Sequence, residues 1–109
     1  MKELTIEKLV PLLTSPVWNK RLVGEYYELL IRCEGARHRI ATLESRMVMM
    51  VNEIIIQKEI EMMQNQLYIM KEYEDILYRR LMHHGIPYVD ILSEVLDASD
   101  VLDTTDEEV

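Results

Sequence analysis

Trp18, Lys20 and Arg21 open a proline-free stretch from Val17 to His84, and Tyr78, Arg79, Arg80, His83 and His84 close it. These are the residue types that recognise a polyanion carrying a flat ring. Guanidinium forks bind phosphate bidentately, and aromatic faces stack on bases. If the stretch folds back on itself about a point near residue 49, position 20 comes opposite roughly position 78. Both groups then share one end, with Tyr88 just beyond. Four permanent positive charges, two histidines and three aromatics would meet there, enough for a nucleotide or another small polyanion. A plainer explanation competes. Trp18 could pack a short N-terminal helix, and Lys and Arg in the last turn of a helix complement its dipole.

A second constellation is made of acids. Glu25-x-x-Glu28 and Glu72-x-x-Asp75 each set two carboxylates on one helical face, and a fold centred at 50 brings the pairs together. Four converging carboxylates can hold Mg²⁺ and activate water on a phosphoanhydride. The pattern resembles the E-x-x-E … E-x-x-D signature of the MazG-type nucleotide pyrophosphohydrolases, with a longer gap between the pairs. The acids fall off the apolar seam described below, so salt bridges to Lys71, Arg21 and Arg32 explain them more simply. The basic stretch Arg32, Arg37, His38, Arg39 and Arg46 is expected to make interhelical ion pairs with Glu53, Glu59 and Glu61. His83 and His84 are adjacent and do not form a chelating pair. Cys33 sits on the seam, where a small buried apolar role fits better than a nucleophile. There is no P-loop and no Ser-His-Asp order. No catalytic residue, metal or cofactor is therefore assigned.

The elements that must position these residues are legible in the periodicity. Leu22, Tyr26, Leu29, Cys33, Ala36, Ile40, Leu43 and Met47 follow strict 4-3 spacing. Ile56, Ile60, Met63, Leu67, Met70, Leu77 and Leu81 do the same, with Glu74 the one exception. The two blocks are out of phase, since the first, extended, falls on Gln57 and Glu61. A phase break of this kind predicts two helices rather than one rod, which would be about 100 Å long. The fold class is thus all-α. A long antiparallel hairpin over 15–86 turns between Thr42 and Asn52, with Ser45 and Asn52 as possible caps. Short helices flank it, over 1–14 and 87–97. Thr5 caps the first and Pro11 shortens or kinks it; Ser15 caps the hairpin, with Pro16 at the first helical position; Gly85 and Pro87 stop it. Apolar residues at the turn and off the seam, among them Tyr27, Ile31, Met62, Tyr68, Ile69 and Ile76, exceed what one hairpin can bury. Pairing of hairpins into a four-helix-type homo-oligomer would cover them. The expected interface comprises Met49, Ile55, Ile56, Met63, Leu67 and Met70.

Charge adds one boundary. The 109 residues hold 20 acids and 12 bases, yet eight acids and no base lie from Asp90 onward. Residues 1–89 are formally neutral, and 98–109 read as an acidic disordered tail. The 12 bases are interleaved with acids, which argues against general nucleic-acid binding. No run of 18 apolar residues suggests a membrane span, and no leader is expected from the N-terminus.

The run Arg21-Leu22-Val23-Gly24-Glu25-Tyr26-Tyr27-Glu28-Leu29, with Arg32 and Ile40, precedes Gln66-Leu67-Tyr68-Ile69-Met70-Lys71-Glu72-Tyr73-Glu74-Asp75-Ile76-Leu77-Tyr78-Arg79-Arg80-Leu81. Over roughly residues 19–82 this resembles a family of small bacteriophage proteins related to one from a crAss-like phage. Gln66, Met70, Tyr73 and Arg80 are the less trivial matches. The resemblance implies phage origin and a helical hairpin, and supplies no catalytic residues. The function expected is that of a non-enzymatic binding protein in the cytoplasm of a bacterial host. It would counter defence by sequestering a nucleotide immune signal or by binding a host immune protein. A coiled-coil assembly subunit is the alternative, and a MazG-like Mg²⁺-dependent hydrolase the second.

Overall fold

In the computed structural model, four helices follow one another: α1 (Ile6–Leu13), α2 (Trp18–Met47), α3 (Glu53–His83) and α4 (Tyr88–Glu108). The structure describes residues 4–47 and 53–108, with side chains through residue 98. Among the described residues there is no strand. α2 and α3 pack side by side and run antiparallel: the Trp18 ring meets His84, and Tyr26 meets Tyr78. Their seam is built from the 4-3 residues. Leu22, Leu29, Cys33, Ile40, Ile60, Leu77 and Leu81 are buried, and Tyr26, Leu67 and Met70 pack partly buried against the core.

α2 is the central helix. α1 and α4 both pack on it and on each other, so Leu9, Leu12, Val23 and Ile86 extend the same core. α1 crosses α2 at Gly24, where a Cβ would lie 3.0 Å from Leu13 Cδ2 and 3.1 Å from the Leu13 backbone nitrogen. Glycine is needed there for the close approach of two backbones. The two helices also hide Tyr27 and Ile31, both partly buried against the core. α3 has no such cover on its outer side, where Met62, Tyr68, Ile69 and Ile76 stay exposed.

The boundaries differ from expectation in three places. α2 is helical through Met47, so Ser45 lies inside a helix and caps nothing; the remainder of the expected turn, 48–52, including Met49 and Asn52, falls outside the described residues. α2 also starts two residues later than Pro16, with Ser15 Oγ accepting the Val17 N–H at 3.1 Å, while Thr5 stands at the N-cap of α1 without a side-chain capping bond. The third difference is α4. Its helix does not stop at 97 but continues through Glu108, over residues expected to be a disordered tail. Val95, Leu96 and Leu102 keep the helical apolar spacing going, a signal that the density of acids outweighed.

The stop after α3 is as expected. Gly85 has φ +62°, Ile86 N–H donates to the Leu81 carbonyl at 3.0 Å and Gly85 N–H to the Met82 carbonyl at 3.1 Å. This pair of bonds is the Schellman arrangement, completed by the buried side chains of Ile86 and Leu81.

Gly24→Val should lower unfolding stability by about 1–3 kcal/mol, because besides the movable Leu13 Cδ2 the added carbons meet Leu12 Cβ and the Leu13 backbone nitrogen, which cannot turn aside. Urea denaturation followed by circular dichroism measures it.

Candidate functional site

The end of the hairpin is assembled, but one helical turn out of the expected register. Trp18 and His84 meet edge to face at 4.9 Å, and His84 contacts the His83 ring at 5.0 Å. Tyr78 lies opposite Tyr26, not Lys20. It joins a cluster of four tyrosines in which Tyr26 touches Tyr27 at 5.3 Å and Tyr88 at 5.8 Å. Burial, then the charge of Glu74, pushes the Tyr26 hydroxyl above its ordinary range; burial does the same to Tyr27. Arg21 serves the fold, its Nη1 donating to the Ser15 carbonyl at 2.8 Å across the α1–α2 junction. Arg79 pairs with Asp75 at 2.7 Å on the outer side of α3. Lys20 and Arg80 are exposed and have no side-chain ion pair among the described residues. The patch is thus divided between a Trp–His end, a tyrosine cluster and an outer arginine.

The expected interface residues are divided too. Met63 is half-buried beside α2, while Leu67 and Met70 pack on the intramolecular core. Ile55 is exposed, Ile56 is half-buried, and Met49 lies outside the described residues.

The carboxylate pairs do not converge. Glu28 accepts from Arg32 at 2.8 Å and Asp75 from Arg79. Among the described residues no group of three or more His, Cys, Asp or Glu is placed to hold a metal ion. Glu74, the polar exception in the seam, is held by Lys71 Nζ at 3.0 and 3.1 Å. Burial, together with that carboxylate, pushes the Cys33 thiol up, which makes it a poor nucleophile.

The basic stretch yields a site that spacing alone did not single out. Its ion pairs lie within α2, Arg32 to Glu28 and Arg37 to Glu34, rather than between helices. Arg39 and Arg46 have no ion pair among the described residues. Both line open clefts instead. One, about 420 Å³, lies between α2 and α3 and is walled by Leu29, Arg32, Gly35, Ala36, Arg39, Met63, Gln66 and Met70. The next, about 450 Å³, continues along α2 past His38, Thr42, Leu43 and Arg46 and shares Gly35 and Arg39 with the first. Arg32, Arg39 and Arg46 recur every seven residues, so they line one side of this groove. Gly35 sits at its middle, and nothing lies within 4 Å of where its Cβ would be. The seven-residue arginine repeat was present in the sequence; the glycine between its members was the overlooked signal.

Comparison with known proteins gives one family. A family model described as Sequestin matches residues 16–83, and the chain belongs to that family. The matched span starts just before α2 and ends at the last residue of α3, so it covers the helix pair and the groove. No curated protein and no solved structure matches. Among the described residues, no helix is long and apolar enough to cross a membrane.

The raised tyrosines carry a sign for pH. A hydroxyl whose folded pKa lies above its unfolded value stabilises the fold fully below the unfolded pKa, and that contribution is lost as pH rises through the folded one. Stability should therefore be level to about pH 9 and fall above about pH 10. Replacing Tyr26 by Phe should shrink this fall, as denaturant midpoints along an alkaline pH series would record.

Proposed function

We propose that this Sequestin-family chain works without catalysis, by binding and withholding a small nucleotide-type signal in the α2–α3 groove. In this reading it is a phage protein acting in the cytoplasm of a bacterial host, where the withheld signal belongs to an immune response, and it acts as a homo-oligomer. The family name supports sequestration in general. The single observation that carries the ligand reading is Gly35. A glycine inside an exposed helix gives up about 1 kcal/mol relative to alanine, and no neighbour here requires the missing Cβ. What the missing side chain provides is room, in both clefts at once.

The chemistry of the groove supports an anion with an apolar part. Arg39 and Arg46 offer guanidinium forks to phosphate, Arg32 a third shared with Glu28. Leu29, Ala36, Met63 and Met70 supply an apolar floor, and the Gln66 amide can both donate to and accept from a base edge. A host immune protein is the second target class, favoured by the bare apolar residues of α3.

Two substitutions at one position separate room from folding. Gly35→Ala should raise stability by about 1 kcal/mol. Gly35→Leu should keep the fold and abolish binding, and Arg39→Ala should cost about 1.5–3 kcal/mol of affinity. Calorimetry against linear and cyclic mono- and dinucleotides is the measurement, with ligand recovered intact after heat denaturation. Binding that survives Gly35→Leu but fails in Arg79→Ala/Arg80→Ala would move the site to the hairpin end. No heat with any nucleotide, together with a co-purifying host protein, would replace the ligand reading by the protein one.

A further inference from the structure

Ile55, Met62, Ile69 and Ile76 recur every seven residues on α3 and are 67%, 60%, 66% and 51% exposed. They form one apolar stripe about 30 Å long on the side of α3 turned away from α2. The rows flanking it are polar. On one side lie Lys58, Asn65 and Glu72; on the other lie Glu59, Gln66 and Tyr73. Read along α3, the first row is base, amide, acid, and the second is carboxylate, amide, hydroxyl.

We propose that this stripe is where a second copy of the chain docks, α3 against α3, antiparallel about a two-fold axis at the level of Asn65 and Gln66. The proposal deepens the reading of the chain as a homo-oligomer and rests on it, but replaces the seam methionines as the contact. The argument is self-complementarity. Under that two-fold axis Ile55 meets Ile76 of the second copy, and Met62 meets its Ile69, so each member of the stripe meets an apolar partner. The first row reversed is acid, amide, base: Lys58 lies opposite Glu72 of the second copy, twice, with the two Asn65 amides between. The second row reversed sets the Tyr73 hydroxyl, a donor, opposite the Glu59 carboxylate, an acceptor. Parallel pairing would instead set each row against the other row of the second copy, Lys58 beside Glu59 and Glu72 beside Tyr73, and would leave Lys58 and Glu72 about 20 Å apart. A two-fold contact requires one patch complementary to itself, which this surface is. The core of the contact is apolar and its edges charged, the usual distribution at an interface.

Sedimentation velocity of the full chain tests the surface, and a charge swap tests the direction. The wild type should sediment as a dimer. Met62→Glu/Ile69→Glu should sediment as a monomer with unchanged helical circular dichroism, because the stripe carries no intramolecular packing. Lys58→Glu alone should weaken the dimer by roughly tenfold, and Lys58→Glu/Glu72→Lys should restore it. A wild-type monomer would overturn self-association as a whole. A dimer indifferent to Met62→Glu/Ile69→Glu would overturn this face while leaving self-association standing. A charge swap that fails to restore affinity would overturn the antiparallel register. Nucleotide binding by the monomeric variant is scored separately, so loss of the dimer and loss of the groove are distinguishable.

Discussion

Everything in this chain depends on how many neighbours one helix can satisfy. α2 packs against α3, α1 and α4, and a single core runs through all of these contacts. The crossing with α1 is possible only because Gly24 lets two backbones approach to a distance that a side chain would fill. With α2 saturated, α3 is left with one strong partner and an exposed outer side. The groove, in contrast, lies where the α2–α3 seam opens on the side of Arg32 and Arg39. A buried scaffold, an open cleft and a bare stripe are thus three consequences of one packing arrangement.

The distribution of charge follows the same division. The ion pairs described here are local, three or four residues apart on one helix, and they are exposed enough to add little stability. They do decide which guanidiniums remain available. Arg21 is committed to a backbone carbonyl and Arg79 to Asp75, whereas Arg39 and Arg46 line the groove with no carboxylate partner among the described residues. A ligand phosphate would therefore compete with water there rather than with a protein anion.

The sequence was a good guide where periodicity decides structure. The two 4-3 blocks and the Gly85–Pro87 stop located α2 and α3, since burial of a continuous seam leaves an unambiguous spacing. It was a poor guide where the outcome depends on register. Placing Lys20 beside Tyr78 required knowing the turn to within one residue, and apolar residues from Val48 to Val51 carry no Gly or Pro to mark it. A shift of one turn was enough to divide the expected patch. The acids of α4 misled for another reason: composition measures how much a segment can bury alone, and α4 packs its first turns on α1 and α2. Gly35 was legible only by contrast with Gly24, because a glycine that touches backbone and one that touches nothing look alike in a sequence.

Pro11 has a consequence for the order of folding. It stands inside α1, an eight-residue helix, and brings no N–H for the Glu7 carbonyl. A helix that short is not stable in water on its own, and its two fully buried leucines, Leu9 and Leu12, find cover only on α2 and its neighbours. During synthesis α1 leaves the ribosome before α2, and it has nothing to fold against until Gly24 and the residues around it have followed. α1 therefore becomes structured after the helix that follows it, and translation must run well into the hairpin before α1 is protected.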